Sequence, residues 1–196
     1  MLNTPPKISE HHGMTLIEVM LVLIIIGIVA SMSLSWLNTF YLRNQNDLRK
    51  SQLLTTLQFA RLQSRAKHLP VALCKSKNHR TCGGDWSDGQ LIFLDTKRDG
   101  IVHTKEQILA VMQTKFQPGT LHWRSYPHYR DYLLFMPMGL ASNDNATFWY
   151  CHKQNETPAW AIILSRSGVT RVVEPDKNGE VKDSHGKALS CVESKA

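Results

Sequence analysis

Two hydrophobic patterns share this chain, and they change over near residue 43. From Gly13 to Leu42 the sequence GMTLIEVMLVLIIIGIVASMSLSWLNTFYL is apolar almost throughout and carries one charge, Glu18. The uncharged run 19–42 corresponds to about 36 Å of helix at ~1.5 Å per residue, enough to span a bilayer. A cleaved secretory signal has a shorter apolar core and a small-x-small cleavage site, so this run is expected to stay and to span. Beyond it the apolar positions thin to a helical period. Leu48, Leu53, Leu54, Leu57, Phe59, Ala60, Leu62 and Ala66 recur, with Arg49, Lys50, Gln58, Arg61, Gln63 and Arg65 between them. Asn44 to Asn46 is a soft spot and Pro70 sets the stop. The pattern predicts one helix over 14–67: residues 14–42 in the membrane, and residues 43–67 packing a domain on one face.

After Pro70 the apolar residues come in short clusters between turn signals. VALC (71–74), GQLIFL (89–94), QILAVM (107–112), TLHW (120–123), YLLFM (132–136), ATFWYC (146–151), AWAIILS (159–165) and VTRVV (169–173) read as strands. Asp99-Gly100, Pro118-Gly119, Met138-Gly139, Asn143 to Asn145 and Ser167-Gly168 separate them. The expected class is α+β: a long N-terminal helix, half transmembrane, laid on an antiparallel β domain over 68–196.

The lone carboxylate changes the reading from architecture to chemistry. A charge within an apolar segment of membrane grade costs about 3 kcal/mol or more, so such residues have partners and mark function. A cut after Gly13 would supply one, because the new amine of Met14 would sit one helical turn from Glu18. The residues GMTLIE resemble the class III prepilin signal of type IV pilins and type II secretion pseudopilins. That resemblance implies a leader over 1–13, cut between Gly13 and Met14 by a prepilin peptidase that methylates the Met14 amine. It also implies that Glu18 pairs with the amine of a neighbouring subunit during assembly. Met14 departs from the phenylalanine usual in that family. The leader balances Lys7 against Glu10, with His11 and His12 following, and Arg43, Arg49 and Lys50 come after the span. The positive-inside count does not favour a cytoplasmic N-terminus. The resemblance does, and it implies a single-pass inner-membrane protein with a periplasmic C-terminal domain, later moved into a pilus or pseudopilus.

Composition sharpens the soluble part. Mean hydropathy is −0.25 despite the apolar helix, so the remainder is distinctly polar. Net charge is +7 and the pI about 9.3, which favours anionic partners such as DNA, phospholipid or acidic protein surfaces. Four cysteines fit an oxidising compartment. We expect Cys74–Cys82 around the polar segment KSKNHRT and Cys151–Cys191 around the C-terminal tail, among the three connectivities that four cysteines permit. Zinc is disfavoured, because there is no CxxC pair and no matching histidine spacing.

The β part resembles the GspH/FimT subgroup of pilins, which covers type II secretion pseudopilin H and the minor pilins FimT and FimU. The features that carry the resemblance are VALC, the second cysteine, Trp86 through GQLIFLDTKRDG, then FMPMGLASNDNATFWYC and AIILSRSGVTR. With the helix, it covers nearly the whole mature chain. Some FimT proteins capture DNA through a C-terminal Gly-Arg-x-Arg motif. Here Gly168 and Arg171 match, Val169 replaces the first arginine, and Arg166 stands just upstream. Arg166, Gly168, Arg171, Lys177, Lys182 and Lys187 are the candidate DNA-binding residues. Glu174, Asp176, Glu180 and Asp183 among them blunt the field that phosphate binding needs.

Other motifs read as ordinary structure. Asp95, Asp99, Gly100 and Glu106 fit parts of an EF-hand frame, but Lys97 and Arg98 oppose calcium, and strands flank the segment. A hairpin turn is expected there. Asn145-Ala146-Thr147 and Asn155-Glu156-Thr157 are glycosylation sequons only in a eukaryotic secretory path. No GxSxG, HExxH, P-loop or dinucleotide fingerprint is present, and the histidines are scattered, so no enzyme chemistry, cofactor or metal is expected. The expected function is that of a minor pilin in a type IV pilus or its tip-initiating complex. Its partners would be the prepilin peptidase, the inner membrane before assembly, and other minor and major pilins or pseudopilins. A pseudopilin in type II secretion and a minor pilin binding double-stranded DNA for uptake are the alternatives.

Overall fold

The structure is a computed structural model that describes residues 14–113, 116, 118–127, 129–142, 145–153 and 157–192; the side chains of residues 30, 32–39 and 42 fall outside that description. The leader, Gly13, and the turn residues Asn143 and Asp144 therefore lie outside the described residues, as does Asn155. The chain divides into two compact units, Met1–Gln45 and Asn46–Ala196.

Helix α1 runs from Leu16 to Lys67. In the first unit every described side chain from Met14 to Val29 is exposed, although all but Thr15, Glu18 and Gly27 are large apolar groups. Among the described residues no helix is long and apolar enough to cross a membrane.

In the second unit the helix buries a narrow stripe: Leu53, Thr56, Leu57, Ala60 and Ser64. The spacing is the i, i+3, i+4, i+7 of one helical face. Two of its members are hydroxyls that periodicity of apolar residues alone passes over. Both are satisfied within the helix: the Thr56 hydroxyl donates to the Gln52 carbonyl at 2.8 Å and the Ser64 hydroxyl to the Arg61 carbonyl at 2.7 Å. Leu48 and Leu62, counted on the apolar face from sequence, are exposed.

The strands are β1 (Val71–Lys75), β2 (Gln90–Leu94), β3 (Ile108–Met112), β4 (Thr120–Tyr126), β5 (Tyr132–Phe135), β6 (Asn145–Cys151), β7 (Trp160–Ser165) and β8 (Thr170–Val173). They form two four-stranded sheets, ordered β3-β2-β1-β5 and β4-β6-β7-β8. All pairings are antiparallel. Three of the differences from the sequence reading are local. A 3-10 turn at Lys105–Gln107 precedes β3, β4 continues to Tyr126 because it pairs with β6 over its full length, and β6 starts at Asn145.

Side-chain alternation divides each sheet between two environments. Val71 and Leu73 of β1, Ile92 of β2, and Leu133 and Phe135 of β5 join the helical Leu53, Leu57 and Ala60 in the main core. The inner face of the second sheet completes it with Leu121, Trp123, Phe148, Tyr150, Trp160, Ile162 and Leu164. Trp86, Trp123 and Phe148 form an aromatic centre, with ring centroids 4.4–5.2 Å apart. The opposite face of the first sheet makes a second cluster from Ala72, Cys74, Leu91, Phe93 and Leu134. The outer face of the second sheet makes a third, where Ala161, Val181 and Leu189 pack with Trp149 and Val173. The C-terminal tail thus has apolar surface to cover, although its composition is mostly polar.

Candidate functional site

The first candidate site is the start of α1. Thr15 precedes the helix, and its carbonyl accepts the amides of Glu18 and Val19 at 3.1 and 3.2 Å. Glu18 falls in the first turn, where the helix dipole favours a negative charge. Its carboxylate is exposed and makes no hydrogen bond or ion pair among the described residues. Gly13 lies outside the described residues; Met14 lies just ahead of the helix with its side chain exposed. The site is an unpaired carboxylate on an apolar helix whose surface nothing in the described chain covers.

The second candidate site is the turn Ser165 to Gly168 with strand β8. Gly168 has φ of +76°, and a Cβ there would come within 2.2 Å of the Gly139 carbonyl and 2.8 Å of Arg61 Nε. Both the left-handed backbone and the close approach demand glycine. Arg61, reaching from α1, donates from Nε to the Gly139 carbonyl at 3.1 Å and from a terminal nitrogen to the Ser167 carbonyl at 2.9 Å. One guanidinium thus ties two turns to the helix. The glycine read from sequence as part of a binding motif has a complete packing explanation.

The candidate cations do not gather. Arg171 is on the outer face of β8, opposite Ile163. Lys177 sits in an exposed turn opened by Asp176. Lys182 is held by Asp176 at 2.7 Å and Glu180 at 3.3 Å. Those hydrogen bonds, with Asp176 first, raise its pKa, and the same Lys182 contact is the main cause that lowers that of Asp176. Lys187 lies beside Arg124 of β4, at the opposite edge of the sheet from Arg171. The carbonyl of Arg166 accepts the Ala141 amide at 2.9 Å.

Two disulfides tie down the polar segments. Cys74–Cys82 closes the loop after β1, and Cys151–Cys191 fastens the tail to the end of β6. The tail has further latches that sequence reading missed. Arg124 donates to Asp183 at 2.6 Å, and the Trp149 indole donates to the Ser190 carbonyl at 3.1 Å. Burial pushes the Asp183 carboxyl upward, but the amides of Lys187 and His185 and the Arg124 guanidinium outweigh it and hold its pKa below the ordinary value. Lys50 likewise bridges Asp47 and Glu174 at 2.8 and 2.7 Å, connecting the helix to the segment after β8. The alternation in TLHWRSY places Arg124 on the outer face, so half of its latch was readable; nothing local marks Asp183 as the other half.

The loop that carries EF-hand-like residues closes on itself. Asp95 is buried and accepts the amides of Asp99 and Gly100 at 3.2 and 2.8 Å, while Asp99 contacts His103 at 2.9 Å. Among the described residues no group of three or more His, Cys, Asp or Glu side chains is placed to hold a metal ion.

Residues 8–34 match the family description Prokaryotic N-terminal methylation motif, and residues 51–168, more than half of the chain, match Type II transport protein GspH. The chain belongs to the GspH family. It is therefore a type IV pilin-like protein, in a family of pilin structural proteins. Its fold is similar to that of the type IV minor pilin FimU of Pseudomonas aeruginosa (strain PAO1) in space group P21. The TM-score is 0.52 at 20% identity, covering 78% of this chain and 98% of that one. The same protein in space group P65 matches with TM-score 0.49 at 15% identity, covering 69% and 95%. No curated protein matches the chain. The GspH match ends at residue 168, so Arg171 and the tail with Lys177, Lys182 and Lys187 lie beyond it.

Proposed function

We propose that this member of the GspH family is a minor pilin of a type IV pilus, built into the fibre or its tip-initiating complex. The observation that carries the reading is Glu18: a carboxylate without a partner among the described residues, in the first turn of a helix whose apolar side chains from Met14 to Val29 are exposed, four residues from Met14. A prepilin peptidase cuts between Gly13 and Met14 and methylates the new amine. Glu18 then pairs with that amine on a neighbouring subunit, which removes the cost of a bare charge among packed apolar helices. Before assembly the segment 14–42 anchors the chain in the inner membrane with the β domain in the periplasm. Other minor and major pilins cover the helix in the fibre, and no catalytic step is assigned to the chain.

The likeness of the fold to FimU, a type IV minor pilin, is in keeping with the pilus reading. The family description, Type II transport protein, supports the second reading: a pseudopilin of a type II secretion system. The dispersal of Arg166, Arg171, Lys177, Lys182 and Lys187 gives double-stranded DNA uptake no comparable support. A deletion strain separates the first two. Loss of surface pili with normal exoprotein release is the expected outcome, and normal pili with blocked exoprotein release would transfer the chain to secretion.

A further inference from the structure

A groove of about 420 Å³ opens on the outer face of the second sheet, between β4, β6 and the tail turn Asp183 to Lys187. Its size lies within the range of small-ligand clefts. Thr147, only 4% exposed as a residue, lines it, and its hydroxyl, which is open to the groove, makes no hydrogen bond among the described residues. The side-chain amide of Asn145, the Tyr126 hydroxyl and the Lys187 ammonium are likewise without protein partners among the described residues. Tyr126 is 60% exposed, and its ring meets that of His185 edge-on at 6.2 Å. Asp183 is the one carboxylate among the lining residues, and it is consumed by Arg124 and by the amides of His185 and Lys187 at 2.6–2.9 Å. The groove therefore keeps one uncompensated ammonium, one exposed aromatic face and several neutral hydrogen-bonding groups.

We propose that this groove binds an acidic sugar, with a pyranose ring against Tyr126, ring hydroxyls on Asn145 and Thr147, and the sugar carboxylate on Lys187. The single free charge selects for an anion. The neutral lining selects for hydroxyls rather than for a bare ion. A polyphosphate chain fits less well, because it needs a run of free cations, and Arg124, which lines the groove with Lys187, is already held by Asp183. Asp183, Ser184, His185 and Lys187 of the lining lie beyond residues 51–168, which match the GspH family. The proposal does not depend on whether the fibre is a pilus or a secretion pseudopilus.

The test is calorimetric titration of the full chain in detergent micelles with trimers of galacturonate, glucuronate and mannuronate, with galactotriose and with an oligothymidylate. Saturable binding of trigalacturonate is expected, weakened about tenfold or more by Lys187→Ala and by Thr147→Val and unchanged by Lys182→Ala. Thr147→Ser, which keeps the hydroxyl, should restore most of the affinity, and galactotriose should bind at least about tenfold more weakly than its acidic counterpart. Lys187 extends from a turn, so its removal leaves the fold intact and keeps the test informative if Thr147→Val destabilises the sheet. Three results would overturn the proposal: no saturable binding of galacturonate, glucuronate or mannuronate trimers; equal binding of charged and uncharged trisaccharides; or tighter binding of the oligonucleotide, which would make the groove a nucleic-acid site.

Discussion

The two ends of helix α1 treat the same kind of side chain in opposite ways. Leu53 and Leu57 are each 1% exposed, whereas Ile24 and Ile26 are 64% and 57% exposed, although the latter lie in the more apolar segment. Hydrophobicity sets the free energy available from burial, about 1.5–3 kcal/mol for a side chain of this size. It does not supply the surface to be buried against. Near Leu57 that surface is the inner faces of two sheets, folded from the same chain. Near Ile24 no part of the described chain provides it. The second unit is therefore built for its own stability, and the first for contact with something outside the chain.

The sharpest way to break this contrast is at Glu18. Glu18→Ala should abolish recovery of the chain in sheared fibres while leaving the unfolding of the β domain unchanged within about 0.5 kcal/mol. Normal incorporation of the variant would remove the assembly role. Next in size is the tail: Cys151→Ser with Cys191→Ser should cost about 3–4 kcal/mol in urea unfolding, since the bridge closes a long loop. A small loss would mean that the Arg124 and Trp149 latches suffice. Leu57→Ala should cost about 3 kcal/mol through the cavity it leaves, while Ile24→Ala should leave domain stability alone and lower incorporation. Equal effects of the two on unfolding would erase the distinction between the halves.

The smallest effect expected is electrostatic. The folded-state pKa of Asp183 lies below the ordinary carboxylate value, so the Arg124–Asp183 latch stabilises fully above about pH 4. That contribution is lost as pH falls through the lowered value. The stability gap between wild type and Asp183→Asn should be constant from neutral pH down to that region and then close. A gap that stays open in acid would show that packing rather than charge holds the turn.

The fold was legible where a short-range pattern has one structural outcome. The alternating runs placed all eight strands within a few residues, and Pro70 marked the stop of the long helix. The buried stripe was read less well, because Thr56 and Ser64 satisfy their hydroxyls on the helix's own carbonyls and so behave as core residues. At the candidate sites, Glu18 stood out from sequence because a lone charge in an apolar run has few explanations. Gly168 stood out because its sequence neighbours suggested a binding motif, and its contacts with Gly139 and Arg61, remote in sequence, give it a packing role that the sequence does not show.

Local periodicity and turn chemistry were enough to specify the α+β class and the element order, and an isolated carboxylate was enough to single out Glu18, because each depends on residues within a few positions of one another. The division into two sheets, the Arg61 clamp, the Arg124–Asp183 latch and the groove beside Thr147 required the tertiary structure. Each joins side chains separated by tens of residues, and a contact at that range leaves no mark on the sequence around either partner.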